Sequence, residues 1–157
     1  MKKKKITREF LQKIGITRCE NGQFYKGDFK IKYHKVWAIH RKSGNDKYYW
    51  TFTYYDADLY QEQMKLYNEG KWVNKQGKPK SYRPNGISAM LVHRAVWAWY
   101  KGETPEEEDR NIDVCHYNDE VDNNDINNLY IDDHIGNIHA RKVHTGGRIK
   151  KCQQNKN

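Results

Sequence analysis

Hydrophobic and polar positions change their period several times along this chain, and each change predicts a different element. Lys2 to Lys5 form an expected frayed basic arm. Thr7 then sits as a cap for a short helix whose Phe10, Leu11 and Ile14 share one face and which stops at Gly15. From Phe24 to Tyr55 the pattern turns to short runs of β-branched and aromatic residues. FKIKYHKVWAIH and KYYWTFTYY flank the turn-forming KSGND, which predicts an antiparallel sheet. Asp58 to Asn68 returns to helical spacing, with Leu59, Met64, Leu66 and Tyr67 as apolar members and Gly70 as terminator. Residues 71–86, KWVNKQGKPKSYRPNG, read as a basic loop punctuated by glycine and proline.

The second half reads more sharply. Ile87 to Val92 predicts a strand, and His93 to Tyr100 an aromatic helix that buries Val96, Trp97 and Tyr100. After a hydrophilic connection from Glu103 to Asn111, Ile112 to Cys115 predicts a buried strand that delivers His116. A loop rich in Asp and Asn follows, then a short strand from Leu129 to Ile131, a helix, and the basic tail GGRIKKCQQNKN, expected to be mobile. No internal repeat is visible. The fold class expected is α+β, in one domain with an N-terminal elaboration.

Composition changes this picture in two ways. Hydrophobic content is 36%, below the roughly 45–50% usual for globular chains, but 5 Trp and 12 Tyr provide enough bulk for a compact core. Charge is unevenly placed. Of the 20 acidic residues 12 lie between Glu103 and Asp133, with only one of the 29 basic ones, so the remainder carries 28 Lys and Arg against 8 Asp and Glu. Such a surplus suits contact with the phosphates of a nucleic acid.

No apolar run approaches the ~20 residues of a membrane helix. The basic N-terminus lacks the apolar segment of a secretory signal, so a cytoplasmic protein without membrane contact is expected. Cys19, Cys115 and Cys152 are odd in number and without CxxC pairing, which fits a reducing compartment.

The candidate chemistry lies in IDVCHYNDEVDNNDINNLYIDDHIGNI, residues 112–138, where His116 precedes Asn128 by 12 positions and Asn137 by 21. A neutral imidazole can take a proton near physiological pH, so His116 is the candidate general base. At about 3.6 residues per turn, His134, Asn137, Arg141 and His144 share one helix face, and Ile135 and Ile138 another. That first face sets a hard oxygen ligand beside cationic groups able to hold phosphate. Zinc-finger spacing is missing, DNNDIN lacks the glycine of an EF-hand loop, and His134, His139 and His144 do not share a face.

In order and spacing, LVHRAVWAWYKGETP, VCHYNDEVDNNDINNL and DHIGNIHA together resemble the HNH endonuclease family, especially its free-standing phage and homing-type members. The resemblance covers roughly residues 87–146. It implies a ββα-metal nuclease core there; the residue pattern and charge on either side are read as an N-terminal antiparallel β-rich and DNA-contacting region over 1–86 and a flexible basic tail over 147–157. It also implies a metal-dependent hydrolase that acts on DNA inside a host cell and leaves 5′-phosphate and 3′-hydroxyl ends.

By the same resemblance Asn128 ties the loop that orients His116, and Asn137 ligates a divalent ion, Mg²⁺ or Mn²⁺. Arg94, Arg141, His144, Arg148, Lys150 and Lys151 become the expected nucleic-acid contacts, with His93 mainly a structural hydrogen-bonder. Cys115 departs from the family, whose homing-type members carry a metal-binding aspartate there. A thiolate favours Zn²⁺, so Cys115 is either a soft metal ligand or a small buried residue. Asp113 would lie about 7 Å along the strand, and Asp119 or Asp122 are the loop carboxylates able to substitute. The alternative reading is a non-cleaving DNA- or RNA-binding protein with a degenerate HNH fold. A weaker third reading is an accessory of DNA packaging or recombination.

Overall fold

A computed structural model of the chain describes residues 5–38, 47–105, 112–117 and 120–133. They form a mixed α+β structure of three helices and small sheets. The chain divides into two compact units, one built from Met1–Phe52 with Met90–Asn157 and the other from Thr53–Ala89.

In the first unit helix α1 (Arg8–Lys13) begins where Thr7 Oγ1 accepts from the Phe10 amide, and it ends before Gly15 at φ 101°. Leu11 is its fully buried member. The next sheet orders β1 (Arg18–Glu20), β2 (Gln23–Lys26) and β3 (Phe29–Lys30), all antiparallel. It starts ahead of Phe24, where the hydrophobic pattern alone had placed the change to strands. The reason is Asn21-Gly22, a two-residue hairpin turn with φ 48° and 76°, which pairs Glu20 with Gln23. Asn-Gly supports that left-handed turn because glycine has no Cβ and asparagine tolerates positive φ.

Strand β4 (His34–Ala38) pairs antiparallel with β5 (Lys47–Tyr55), and β6 (Ile87–Leu91) completes the order β4-β5-β6. Helix α3 (Val92–Lys101) follows directly. Its buried stripe is Val92, Ala95 and Val96, spaced by three and four residues as a core-facing helix requires. The expected burial of Val96 is met, but Trp97 is half-buried and Tyr100 is 42% exposed. The stripe is turned by about one residue, so the Tyr100 ring reaches the surface and its hydroxyl donates to the Cys19 carbonyl at 3.1 Å.

Phe24 meets the edges of Phe52 and Trp99 at the centre of this unit. The N-terminal segment is tied to the residues after α3. Ile6 N donates to Thr104 Oγ1 at 2.9 Å, and Thr104 N to Ile6 O at the same distance. Arg8 adds bonds to the carbonyls of Trp99, Tyr100 and Gly102. Strands β7 (Ile112–His116) and β8 (Leu129–Asp133) close the unit as an antiparallel pair.

The second unit is carried by α2 (Ala57–Asn68), whose cap Asp56 accepts from the amides of Asp58 and Leu59. None of its side chains is buried, so its apolar members Leu59, Met64, Leu66 and Tyr67 form an exposed to half-buried face. In the basic loop Trp72 Nε1 donates to the Tyr82 carbonyl, and Lys80 Nζ lies 3.7 Å over the Trp72 ring. The basic arm before Lys5, the KSGND turn, the connection over 106–111, the helix after β8 and the basic tail lie outside the described residues.

Candidate active site around His116

Strand pairing fixes the frame. Cys115 faces Tyr130 and His116 faces Leu129 across β7 and β8, so the two chain ends of the intervening loop start side by side. Successive residues on a strand point to opposite faces, and the neighbours found at each position follow that alternation.

On one face stands His116, only 5% exposed. Its Nε2 lies 2.9 Å from Oδ1 of buried Asn124. An amide oxygen can only accept, so in this pairing Nε2–H is the donor. The imidazole ring stands 4.8 Å from that of His93 on α3, and His93 in turn lies 5.5 Å from the Tyr49 ring on β5. The His93 ring therefore walls one side of the imidazole, with Tyr49 behind it. His93, expected as a structural hydrogen-bonder, is part of that wall.

On the other face Cys115 is buried with Tyr117 and Tyr130, whose rings stack at 4.6 Å. Its Sγ points to the Asp113 carbonyl at 3.6 Å. Cys115 is thus a small buried residue beside two tyrosines. Among the described residues no group of three or more His, Cys, Asp or Glu side chains is placed to hold a metal ion. Asn137, the other expected ligand, lies outside the described residues, as do Arg141, His144, Arg148, Lys150 and Lys151. Arg94 is half-buried in the first turn of α3.

The loop that carries Asn124 is shaped by its own side chains. Asn123 Oδ1 accepts from Asp125 N and Asp125 Oδ1 from Asn127 N, the Asx-turn arrangement that explains the run of Asp and Asn. Asn128 donates through Nδ2 to the carbonyls of Glu120 and Asn123, at 3.3 and 2.8 Å. Asn128 thus ties the loop across its neck, while Asn124 makes the direct bond to the histidine.

Asp122, in the same loop, is bonded to β5. Its Oδ2 accepts from Tyr48 at 2.7 Å and its Oδ1 from Trp50 Nε1 at 2.8 Å. These two bonds, then the positive charge of Lys35, hold its carboxyl below the ordinary range. Lys35 Nζ lies 4.4 Å over the Tyr48 ring. On its far flank the loop meets the Asn21-Gly22 turn. A Cβ added to Gly22 would stand 2.4 Å from the Asn124 carbonyl carbon, so only glycine allows this approach. Tyr33 braces the same turn by accepting from Phe24 N and donating to Gly22 O, both at 2.9 Å.

Between turn, loop and β5 lies a cavity of about 250 Å³ lined by Asn21, Gly22, Gln23, Tyr33, Trp50, Asp122 and Asn124. Of these, only Asp122 figured among the sequence candidates. The signal that could have found the rest is Asn-Gly itself, which marks a fixed turn. The bonds of Tyr48 and Trp50 to Asp122 span more than 70 residues and have no local signature. No protein-family model matches this chain, and no curated protein or solved structure is significantly similar to it.

Proposed function

We propose that this protein is a metal-dependent DNA endonuclease of the HNH type, with His116 as the general base. The observation that carries the reading is the bond between His116 and Asn124. It holds a buried imidazole through Nε2 at the end of the strand from which the motif delivers it. In the reaction, a water gives a proton to the His116 imidazole as its oxygen attacks phosphorus, the bond to the 3′ oxygen breaks, and that oxygen takes a proton from solvent. The products carry a 5′-phosphate and a 3′-hydroxyl. Asn124 and Asn128 keep the ring and its loop in place. The basic surplus supplies phosphate contacts.

A divalent ion, Mg²⁺ or Mn²⁺ with Zn²⁺ as the softer choice, would stabilise charge on the phosphate and the leaving oxygen. The described residues alone do not complete its donor set, and Asn137 is the ligand the motif offers. A host-cell cytoplasmic setting belongs to the same proposal. No helix among the described residues is long and apolar enough to cross a membrane.

The second reading is a basic nucleic-acid-binding protein that does not cleave. The burial of Cys115 among tyrosines favours it, because this is the position where a metal-binding aspartate is expected. Incubation with supercoiled plasmid under Mg²⁺, Mn²⁺, Zn²⁺ and EDTA separates the two. Nicked or linear product that EDTA abolishes supports the enzyme. Gel shift without cleavage under every ion supports the second reading. His116→Ala should lower cleavage by about 10²–10⁴-fold with binding retained; unchanged cleavage would remove His116 from the chemistry.

A further inference from the structure

The cavity beside Asn124 lies one side chain from His116, and its lining suits a particular guest. At about 250 Å³ it falls below the range of drug-sized pockets, which begin near ~300 Å³, and it has room for a single flat heterocycle. One wall is the Trp50 indole, a surface on which bases stack irrespective of sequence. The lining contains one carboxylate and no Lys or Arg, so it repels a phosphate and accepts a neutral group. Lys35 Nζ lies 5.3 Å from the Trp50 ring centre, where a strand's backbone could run.

Hydrogen-bonding capacity narrows the guest further. Asp122 is acceptor-only when ionised, and each of its oxygens has a lone pair beyond the bond taken by Tyr48 or Trp50. Asn124 commits Oδ1 to His116, which leaves its amide nitrogen as the donor a guest meets. An acceptor beside a donor complements an edge with an amino group next to a ring nitrogen. On the Watson–Crick edge cytosine and adenine have that pattern, whereas guanine's ring nitrogen there carries a hydrogen and thymine presents carbonyl oxygens on both sides of its N–H.

We propose that this cavity is a subsite for one unpaired cytosine or adenine of a DNA strand, seated next to the phosphate that His116 serves. The placement rests on the nuclease reading, because it takes His116 as the position of the reacting phosphate. The subsite would confer base preference at that nucleotide, with Trp50 providing the stacking face and Asp122 the discrimination.

The test is binding of labelled single strands in EDTA, where cleavage is blocked, followed by fluorescence anisotropy. Wild-type protein should bind oligodeoxycytidine about tenfold more tightly than oligothymidine, and an abasic oligomer of the same length and charge most weakly. Asp122→Asn should erase the preference for cytosine, and Trp50→Ala should weaken binding by about 5- to 150-fold. Should Trp50→Ala not fold, Trp50→Phe retains a stacking ring and should keep most of the affinity. Equal binding of all three wild-type oligomers would overturn the subsite even if the protein cuts plasmid. Base-dependent binding without cleavage under any ion would instead overturn the nuclease reading and keep the subsite.

Discussion

Gly22→Ala tests whether the hairpin turn sets the position of the histidine's partner, 102 residues further along the chain. The new Cβ would stand 2.4 Å from Asn124 C, 2.6 Å from Asn124 O and 2.8 Å from Asp125 N. Favourable contact between carbon atoms lies near ~3.5–4 Å, and all three neighbours are backbone, so no rotamer change relieves the clash. Either the turn or the loop must retreat by roughly 1 Å, the displacement that can cost an enzyme about 10²-fold in rate. Positive φ adds a penalty of about 1–2 kcal/mol for a residue with a Cβ.

Gly27→Ala is the control for that second cost. Gly27 has φ +58° in the same unit, and nothing lies within 4 Å of its added Cβ. Urea unfolding should therefore show Gly22→Ala to be less stable than Gly27→Ala by about 1–3 kcal/mol, the ordinary cost of overpacking. Plasmid cleavage should fall only for Gly22→Ala. Equal destabilisation and equal cleavage in the two variants would refute the close approach of turn and loop.

Three further outcomes are expected. Thr104→Val removes the acceptor of a buried amide, Ile6 N, and should cost about 1–3 kcal/mol in chemical denaturation; Thr104→Ser should restore most of it, and a neutral Val variant would show the N-terminal tie to be dispensable. Cys115→Asp places a charge beside Tyr117 and Tyr130 and should cost about 3 kcal/mol or more, with no Mg²⁺-dependent gain in melting temperature beyond that of the wild type. A Mg²⁺-dependent rise larger than the wild type's would instead make residue 115 a metal ligand. Burial pushes the Cys19 thiol from 9.0 to about 11, and burial likewise raises the Tyr33 hydroxyl. Between pH 9 and 11 the unfolded chain then holds fewer protons than the folded one, so the urea midpoint should fall as pH rises through that window. A flat midpoint would contradict the burial of both groups.

The parts of this fold legible in the sequence are those with local causes. Thr7 and Gly15 bracket α1, and helical spacing located α2 and α3 to within a residue or two. The strands on either side of the site loop were legible from their apolar runs between polar segments. What escaped depends on partners distant in the chain. Tyr100 carries an apolar ring at a helical position, and only the placement of Cys19 decides that its hydroxyl bonds there. In the site, the Asp and Asn run forecast a loop but not which amide would reach His116, because Asn123, Asn124, Asn127 and Asn128 are chemically identical. Their roles are assigned by the Gly22 approach on one side and the Asp122 bonds to β5 on the other.

The discontinuity of the first unit has a bearing on how the protein is made. Its site draws on Gly22, Tyr48, Trp50, His93, His116 and Asn124, and Ile6 is bonded to Thr104 across 98 positions. During synthesis the early sheets emerge long before the strand that bears the histidine. Such long-range closure slows folding, because loop entropy is lost before contacts compensate. A nascent or truncated chain would therefore be a basic fragment without a base in position. Under the nuclease proposal, competence would arrive only with the last third of the chain, after the surfaces that restrain the site already exist.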